Sequence, residues 1–220
     1  MSEYDAVLFD NDGVLVDPPL AGTQPDAVRA AFAAVGVDAP APEHVERVGY
    51  GATAEAVREV CAEHGVDPDA FWTAREDHDE RSQVESFDRG HRGLYDDVGA
   101  LERIRHACGV VSNNHHATVE HVLDRFGLHD HFETYYGRER PMECLNYRKP
   151  ETHYLDRALA DLDAERALYV GDSANDVIAA GRAGMGSAFV RREHSQHTSL
   201  PEPPTHEVRD LHGVVDIVAD

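Results

Sequence analysis

Four short segments carry residues whose types and spacing could do chemistry. Asp10-Asn11-Asp12-Gly13 follows the apolar run Ala6-Val7-Leu8-Phe9 and precedes Val14-Leu15-Val16-Asp17. Two carboxylates two residues apart, at the end of a short buried strand and before a glycine, outline a Mg²⁺ and phosphate site. The same residues also make a favoured turn. An EF-hand loop is excluded, because Gly13 falls at loop position 4 instead of 6. Ser112-Asn113-Asn114 offers a hydroxyl and backbone N–H groups to a phosphate oxygen, or else a helix N-cap. Lys149-Pro150 holds the only lysine of the chain. A lysine near a helix start is disfavoured by the macrodipole, and an anion nearby would explain it; the alternative is a solvated side chain. Gly171-Asp172-Ser173-Ala174-Asn175-Asp176 places Asp172 where a hard cation would find it, while Ser173 and Asp176 form an acidic capping box.

These segments need strands to position them. Residues 5–9 read as a fully buried strand, apolar without alternation, and 167–170 as another strand. Shorter strands are expected at 109–111, 132–136 and 187–190, with helices at 95–107, 117–126, 151–162 and 176–183 and a last strand and helix within 207–218. Strands alternating with helices predict an α/β fold, a Rossmann-like doubly wound parallel sheet. In such a sheet ligands sit beyond the carboxyl ends of the strands, where Asp10, Ser112 and Asp172 all lie. Between the first strand and the rest, segments 24–35, 43–48, 53–64 and 68–84 have helical spacing only. They predict an all-helical insertion, residues 17–92, in a core formed by 1–16 and 93–220.

Composition narrows the partners. Twenty basic against 42 acidic residues give a net charge of −22 over 220 residues. Nucleic acid and anionic membranes call for basic patches, so neither is an expected partner. No run approaches the ~20 apolar residues of a membrane span, and a cytoplasmic protein is expected. Arginine in place of lysine, with excess Asp and Glu, resembles proteins of salt-loving microbes, where molar salt screens self-repulsion. Cys61, Cys108 and Cys144 are too far apart to suggest a zinc ribbon or a disulfide framework. The histidine groups His115-His116, His129/His131 and His194/His197 lack a third ligand at a convincing spacing and are read as solvated.

Together the four motifs, Asp-x-Asp-Gly-Val-x-x-Asp, strand-Ser-Asn, Lys-Pro and Gly-Asp-Ser-x-x-Asp, resemble those of the haloacid dehalogenase superfamily. Among its members the chain is most similar to phosphoglycolate phosphatase-like and β-phosphoglucomutase-like proteins. The insertion looks like that superfamily's small α-helical cap. The resemblance implies that Asp10 is the nucleophile and Asp12 the general acid and base. It implies Mg²⁺ held by Asp10, the Asp12 carbonyl and Asp172, with Asp176 behind them. It gives Ser112, Asn113 and Lys149 the transferring phosphoryl group of a small phosphorylated substrate. Substrate choice would fall to the cap loop Glu46–Thr53, with Gly49, Tyr50 and Gly51; a packed inter-helical turn is the alternative. Asn11 departs from the pattern, standing where an apolar residue is usual. Gly137–Arg148 is longer than in many relatives; its Arg138, Arg140 and Arg148 could reach a substrate anion or face solvent, and most are expected to face solvent. A dehalogenase would not need Asp12, Asp172 and Asp176. A phosphonatase would need a cap lysine, which is absent. A sugar phosphomutase, or a non-enzymatic binding or regulatory protein on this scaffold, remain as alternatives to a Mg²⁺-dependent phosphatase.

Overall fold

The computed structural model describes residues 3–219. Its chain contacts cluster into two compact units, one of residues 1–18, 93–138 and 147–220, the other of 19–92 and 139–146.

The first unit is built on six parallel strands: β1 (Ala6–Phe9), β2 (Ala107–His115), β3 (Thr134–Arg138), β4 (Ala167–Gly171), β5 (Gly186–Val190) and β6 (His206–Val208). Their order is β3-β2-β1-β4-β5-β6. The chain runs outward from the central β1 to β3, then returns to pair β4 against the other edge of β1. This reversal opens a crevice at the carboxyl ends of β1 and its two neighbours.

The central strands β1 and β4 read as unbroken apolar runs because both faces of the sheet are covered there. Side chains alternate between the faces. Val7, Phe9, Val110, Leu168 and Val170 join α5 (His116–Phe126) and α8 (Leu211–Ala219) in one core. Ala6, Leu8, Val111, Ala167 and Tyr169 join α6 (His153–Asp161) and α7 (Ala174–Arg182) in the other. Among the described residues, no helix is long and apolar enough to cross a membrane.

For its longer excursion the chain leaves and re-enters this unit at one place. The Asp17 amide donates to the Gly93 carbonyl at 3.0 Å, and the Gly93 amide donates to the Asp17 carboxylate at 2.8 Å. Between them lie α1 (Thr23–Ala34), α2 (Pro42–Arg47), α3 (Ala54–His64) and α4 (Pro68–Asp88). Their starts are marked in the sequence: the Thr53 and Asp67 side chains cap α3 and α4 by accepting from Ala56 and Ala70 amides. Gly65 ends α3 in the left-handed conformation.

Some expectations need correcting. Residues 139–146, expected in the α/β core, pack with the helices instead. The Trp72 indole donates to the Arg140 carbonyl at 2.8 Å, and Met142 and Leu145 enter the helical core. Residues 95–107 form only a short 3₁₀ helix, Val98–Arg103, and β2 extends to His115. Ser112 therefore does not cap a helix; α5 starts at His116 with His115 at its N-cap. Strand β3 lies two residues later than expected, and α6 begins at His153, so Lys149 is not in its first turn.

Candidate active site

Asp10 follows the last residue of β1, its amide bonded to the Val170 carbonyl of β4 at 2.9 Å. Asn11 turns the chain by accepting the amides of Val14, Leu15 and Val16. Gly13 adopts φ +79°, and a Cβ there would stand 2.1 Å from an Asp172 carboxylate oxygen. Only glycine lets the Asp10–Asp12 loop close over Asp172. Gly171 serves the other side, since its Cβ would stand 2.3 Å from that of Asp176.

The loops bring Asp10, Asp172 and Asp176 together, with one carboxylate oxygen of each within 4.8 Å of the others. Among the described residues, this is the one group of His, Cys, Asp and Glu so arranged. Three hard oxygen donors suit a divalent cation such as Mg²⁺, which keeps several waters and takes few carboxylates. The third carboxylate is already engaged. Asp176 Oδ2 accepts from the Asp172 and Ser173 amides and the Ser173 hydroxyl at 3.2, 2.9 and 2.6 Å. Its Oδ1 faces Lys149 at 2.8 Å. The capping box is thus present, and Asp176 belongs both to it and to the acidic cluster.

Lys149 supplies the compensating charge. Its ammonium lies 2.9 Å from Asp10 and 2.8 Å from Asp176, and its side chain is 3% exposed. It is not the solvated lysine that the sequence left open, and the anion expected near it is this carboxylate pair. The Val111 carbonyl and the Tyr169 hydroxyl accept from it at 3.1 and 2.5 Å, and Tyr169 in turn donates to Val111 at 2.7 Å. Burial, then the nearby carboxylates, hold the Tyr169 hydroxyl well above its usual range. Asn113 fixes the lysine from behind. Its side chain donates to the Lys149 carbonyl at 3.0 Å and accepts from the Lys149 amide at 2.7 Å.

Electrostatics follow from this crowding. Burial is the main force raising the Asp10 carboxyl to about 7, opposed by Lys149 and reinforced by Asp176 and Asp172. Burial also raises Asp172, against the hydrogen bond from His194. Lys149 is raised on balance, because Asp10 and Asp176 together outweigh its desolvation.

Asp12 stands apart from the acidic cluster. Its carboxylate accepts from the Asn114 amide nitrogen at 2.6 Å and from Asn11 at 3.2 Å. The polar Asn11, buried in place of an apolar residue, thus holds Asp12. Ser112 is buried beside them and accepts from the Asn114 amide at 3.2 Å.

Tyr50, Gly49 and Gly51 belong to the helical unit. The Tyr50 ring is exposed and its hydroxyl accepts from the Gly22 amide at 3.4 Å. Gly49 allows close approach to the Val45 carbonyl, and Gly51 takes φ +67°, so each glycine has a backbone reason of its own. Arg140 pairs with Asp77 and Glu80, and Arg138 is buried; neither simply faces solvent.

Sequence reasoning missed Tyr169, Asn114 and His194. Tyr169 reads as one more apolar strand residue, and Asn114 as a cap. His194 reads as solvated in the sequence, yet its Nε2 lies 2.5 Å from Asp172. No local pattern marks that contact, which spans 22 residues.

The chain is similar to known proteins over most of its length. The family model described as haloacid dehalogenase-like hydrolase matches residues 7–190. A phosphoglycolate phosphatase of Cereibacter sphaeroides is 30% identical over 216 residues, covering 94% of this chain and 93% of its own. A 5'-nucleotidase of Pseudomonas aeruginosa is 26% identical over 211 residues, covering 94% and 92%. Among solved structures, CbbY from Rhodobacter sphaeroides in complex with phosphate superposes with a TM-score of 0.67 at 21% identity, covering 93% of each chain.

Proposed function

Because the chain belongs to the haloacid dehalogenase-like hydrolase family, we propose that it is a Mg²⁺-dependent phosphatase of small phosphorylated metabolites, working through an aspartyl phosphate on Asp10. The observation that carries this reading is the buried lysine facing two carboxylates of a three-carboxylate cluster, at the crevice between β1, β2 and β4.

Each residue has a task in that chemistry. An Asp10 oxygen attacks phosphorus, forming the acyl phosphate as the bond to the leaving alcohol breaks. Asp12, aimed by Asn114 and Asn11, gives its proton to that leaving oxygen. It then takes a proton from the water that hydrolyses the acyl phosphate and regenerates Asp10. This divides one difficult displacement into two easier ones. Ser112 and Lys149 hold the phosphoryl oxygens, with Asn113 fixing the lysine backbone. Asp10, the Asp12 carbonyl and Asp172 would hold Mg²⁺, while Asp176 keeps Lys149 and the Asp172 loop in place. The cation supplies charge compensation for a carboxylate meeting a phosphate dianion.

The helical unit acts as a cap that selects substrate, with Tyr50 as its exposed ring and Gly49 and Gly51 shaping the loop. The relatives' substrates, phosphoglycolate and 5'-nucleotides among them, set the first compounds to try. The net charge of −22 supports a cytoplasm rich in salt as the working environment. The test is a panel of phosphate monoesters assayed in molar KCl with Mg²⁺ and with chelator. Phosphate release that needs Mg²⁺ is expected. Undiminished release in chelator would refute the proposal.

A further inference from the structure

We propose that His194, seated by Tyr95, is a positioning residue for Asp172 that sets the affinity of the acidic cluster for its divalent cation. This rests on the phosphatase reading and adds a residue to it.

His194 lies in the loop after β5, and that loop is fastened to the loop that bears Asp10 and Asp12. The Arg192 guanidinium donates to the Val14 carbonyl at 2.8 Å, next to Gly13, and to Asp97 at 2.9 Å. It also stacks over the Tyr95 ring, 4.0 Å from the centroid. The Ser195 hydroxyl bonds the Val190 carbonyl and the Arg192 amide, both at 3.0 Å. His194 is thus presented from a braced turn.

Its imidazole bridges two partners. Nε2 lies 2.5 Å from Asp172 Oδ2, and Nδ1 lies 3.3 Å from the Tyr95 hydroxyl. An ionised carboxylate only accepts, so Nε2–H donates to Asp172, and Nδ1 is left to pair with the Tyr95 hydroxyl, accepting from it when the ring is neutral. A carboxylate held through one oxygen presents the other in a fixed direction. Groups that orient a metal-binding carboxylate in this way typically change affinity by about 10–100-fold when removed. Gly13 completes the arrangement, since a Cβ there would also stand 2.8 Å from His194 Nε2.

The test compares wild type, His194→Ala, His194→Gln and Tyr95→Phe. Mg²⁺ affinity is read without substrate from the rise of Tm with Mg²⁺ at fixed KCl. It is read again from the Mg²⁺ dependence of turnover. His194→Ala should weaken Mg²⁺ by about ten-fold or more in both readouts, with substrate KM little changed at saturating Mg²⁺. His194→Gln keeps an N–H donor and should recover most of the affinity. Tyr95→Phe should fall between wild type and His194→Ala, which keeps the test open if the alanine variant folds poorly. Unchanged Mg²⁺ affinity in His194→Ala and Tyr95→Phe would overturn the proposal. So would tighter binding, which would mean that the imidazole competes with the cation. A wild type that hydrolyses no phosphate monoester and shows no Mg²⁺-dependent Tm would overturn the phosphatase reading itself, and this inference with it.

Discussion

Replacing Asp10, the proposed nucleophile, should stabilise the metal-free protein while abolishing its turnover. Asp10 is buried with Asp172 and Asp176 around one lysine, and its carboxyl is raised from 3.8 to about 7. Between those values the unfolded chain has lost the Asp10 proton and the native state still holds it. Native stability must therefore fall as pH rises through that window, and the full penalty is present above pH 7. A shift of about three units sets an upper bound of ~4 kcal/mol. Asp10→Asn removes the ionisation and gives up one ion pair, but Lys149 keeps Asp176 at 2.8 Å. The gain should therefore be smaller than the bound and positive at pH 8. Urea denaturation in chelator, from pH 5 to pH 8 at fixed KCl, measures it. The variant should exceed wild type at pH 8, and the gap should close toward pH 5, where the native Asp10 is protonated. Saturating Mg²⁺ should close or reverse the gap at pH 8, because wild type binds the ion better. An asparagine variant less stable than wild type at pH 8 in chelator, or a gap independent of pH, would refute the reasoning.

Other variants probe the remaining parts. Lys149→Met leaves Asp10 and Asp176 buried together without their cation, and should cost about 3–5 kcal/mol in metal-free urea denaturation at pH 8. Asn114→Ala frees the Asp12 carboxylate and should lower kcat about ten-fold or more, less than the ~10²–10⁴ expected for Asp12→Ala. Gly13→Ala forces a side chain against Asp172 at positive φ; it should lower stability by about 1–3 kcal/mol and raise the Mg²⁺ needed for half-maximal activity. With a net charge of −22, Tm should rise as KCl goes from dilute to molar, through screening and strengthened apolar burial; a flat or falling Tm would count against salt adaptation.

The parts of this site that were legible in the sequence are those written in local patterns. An apolar run ending in Asp10, a Gly-Asp-Ser turn before α7 and a helical stretch without strands are each visible within about a dozen residues, because strand burial and helix capping act at that range. Lys149 stood out by being alone. The partners that aim these groups were hidden, because they arrive from distant segments. Asn114 reaches Asp12 across 102 residues and Tyr95 reaches His194 across 99. Tyr169 occupies an apolar strand position, and only the tertiary structure shows its hydroxyl on the Lys149 ammonium. Residues 139–146 follow a β-strand of the α/β unit and so read as part of it. The Trp72 indole and the apolar Met142 and Leu145 draw them to the helices, a choice made by packing.

The central claim is that phosphate passes through Asp10. Borohydride reduces an acyl phosphate to an alcohol and leaves a free carboxylate untouched, so it would convert a phosphorylated Asp10 to homoserine. The enzyme should be mixed with Mg²⁺ and its best substrate, quenched during turnover into borohydride, digested and sequenced by mass spectrometry. Homoserine is predicted at position 10 and nowhere else, only when substrate and Mg²⁺ are both present; with p-nitrophenyl phosphate, whose leaving group needs no proton from Asp12, it should be enriched in Asp12→Ala, where hydrolysis of the intermediate is slowed. Aspartate retained at position 10 under these conditions in the Asp12→Ala protein, or homoserine at another residue, would contradict the account.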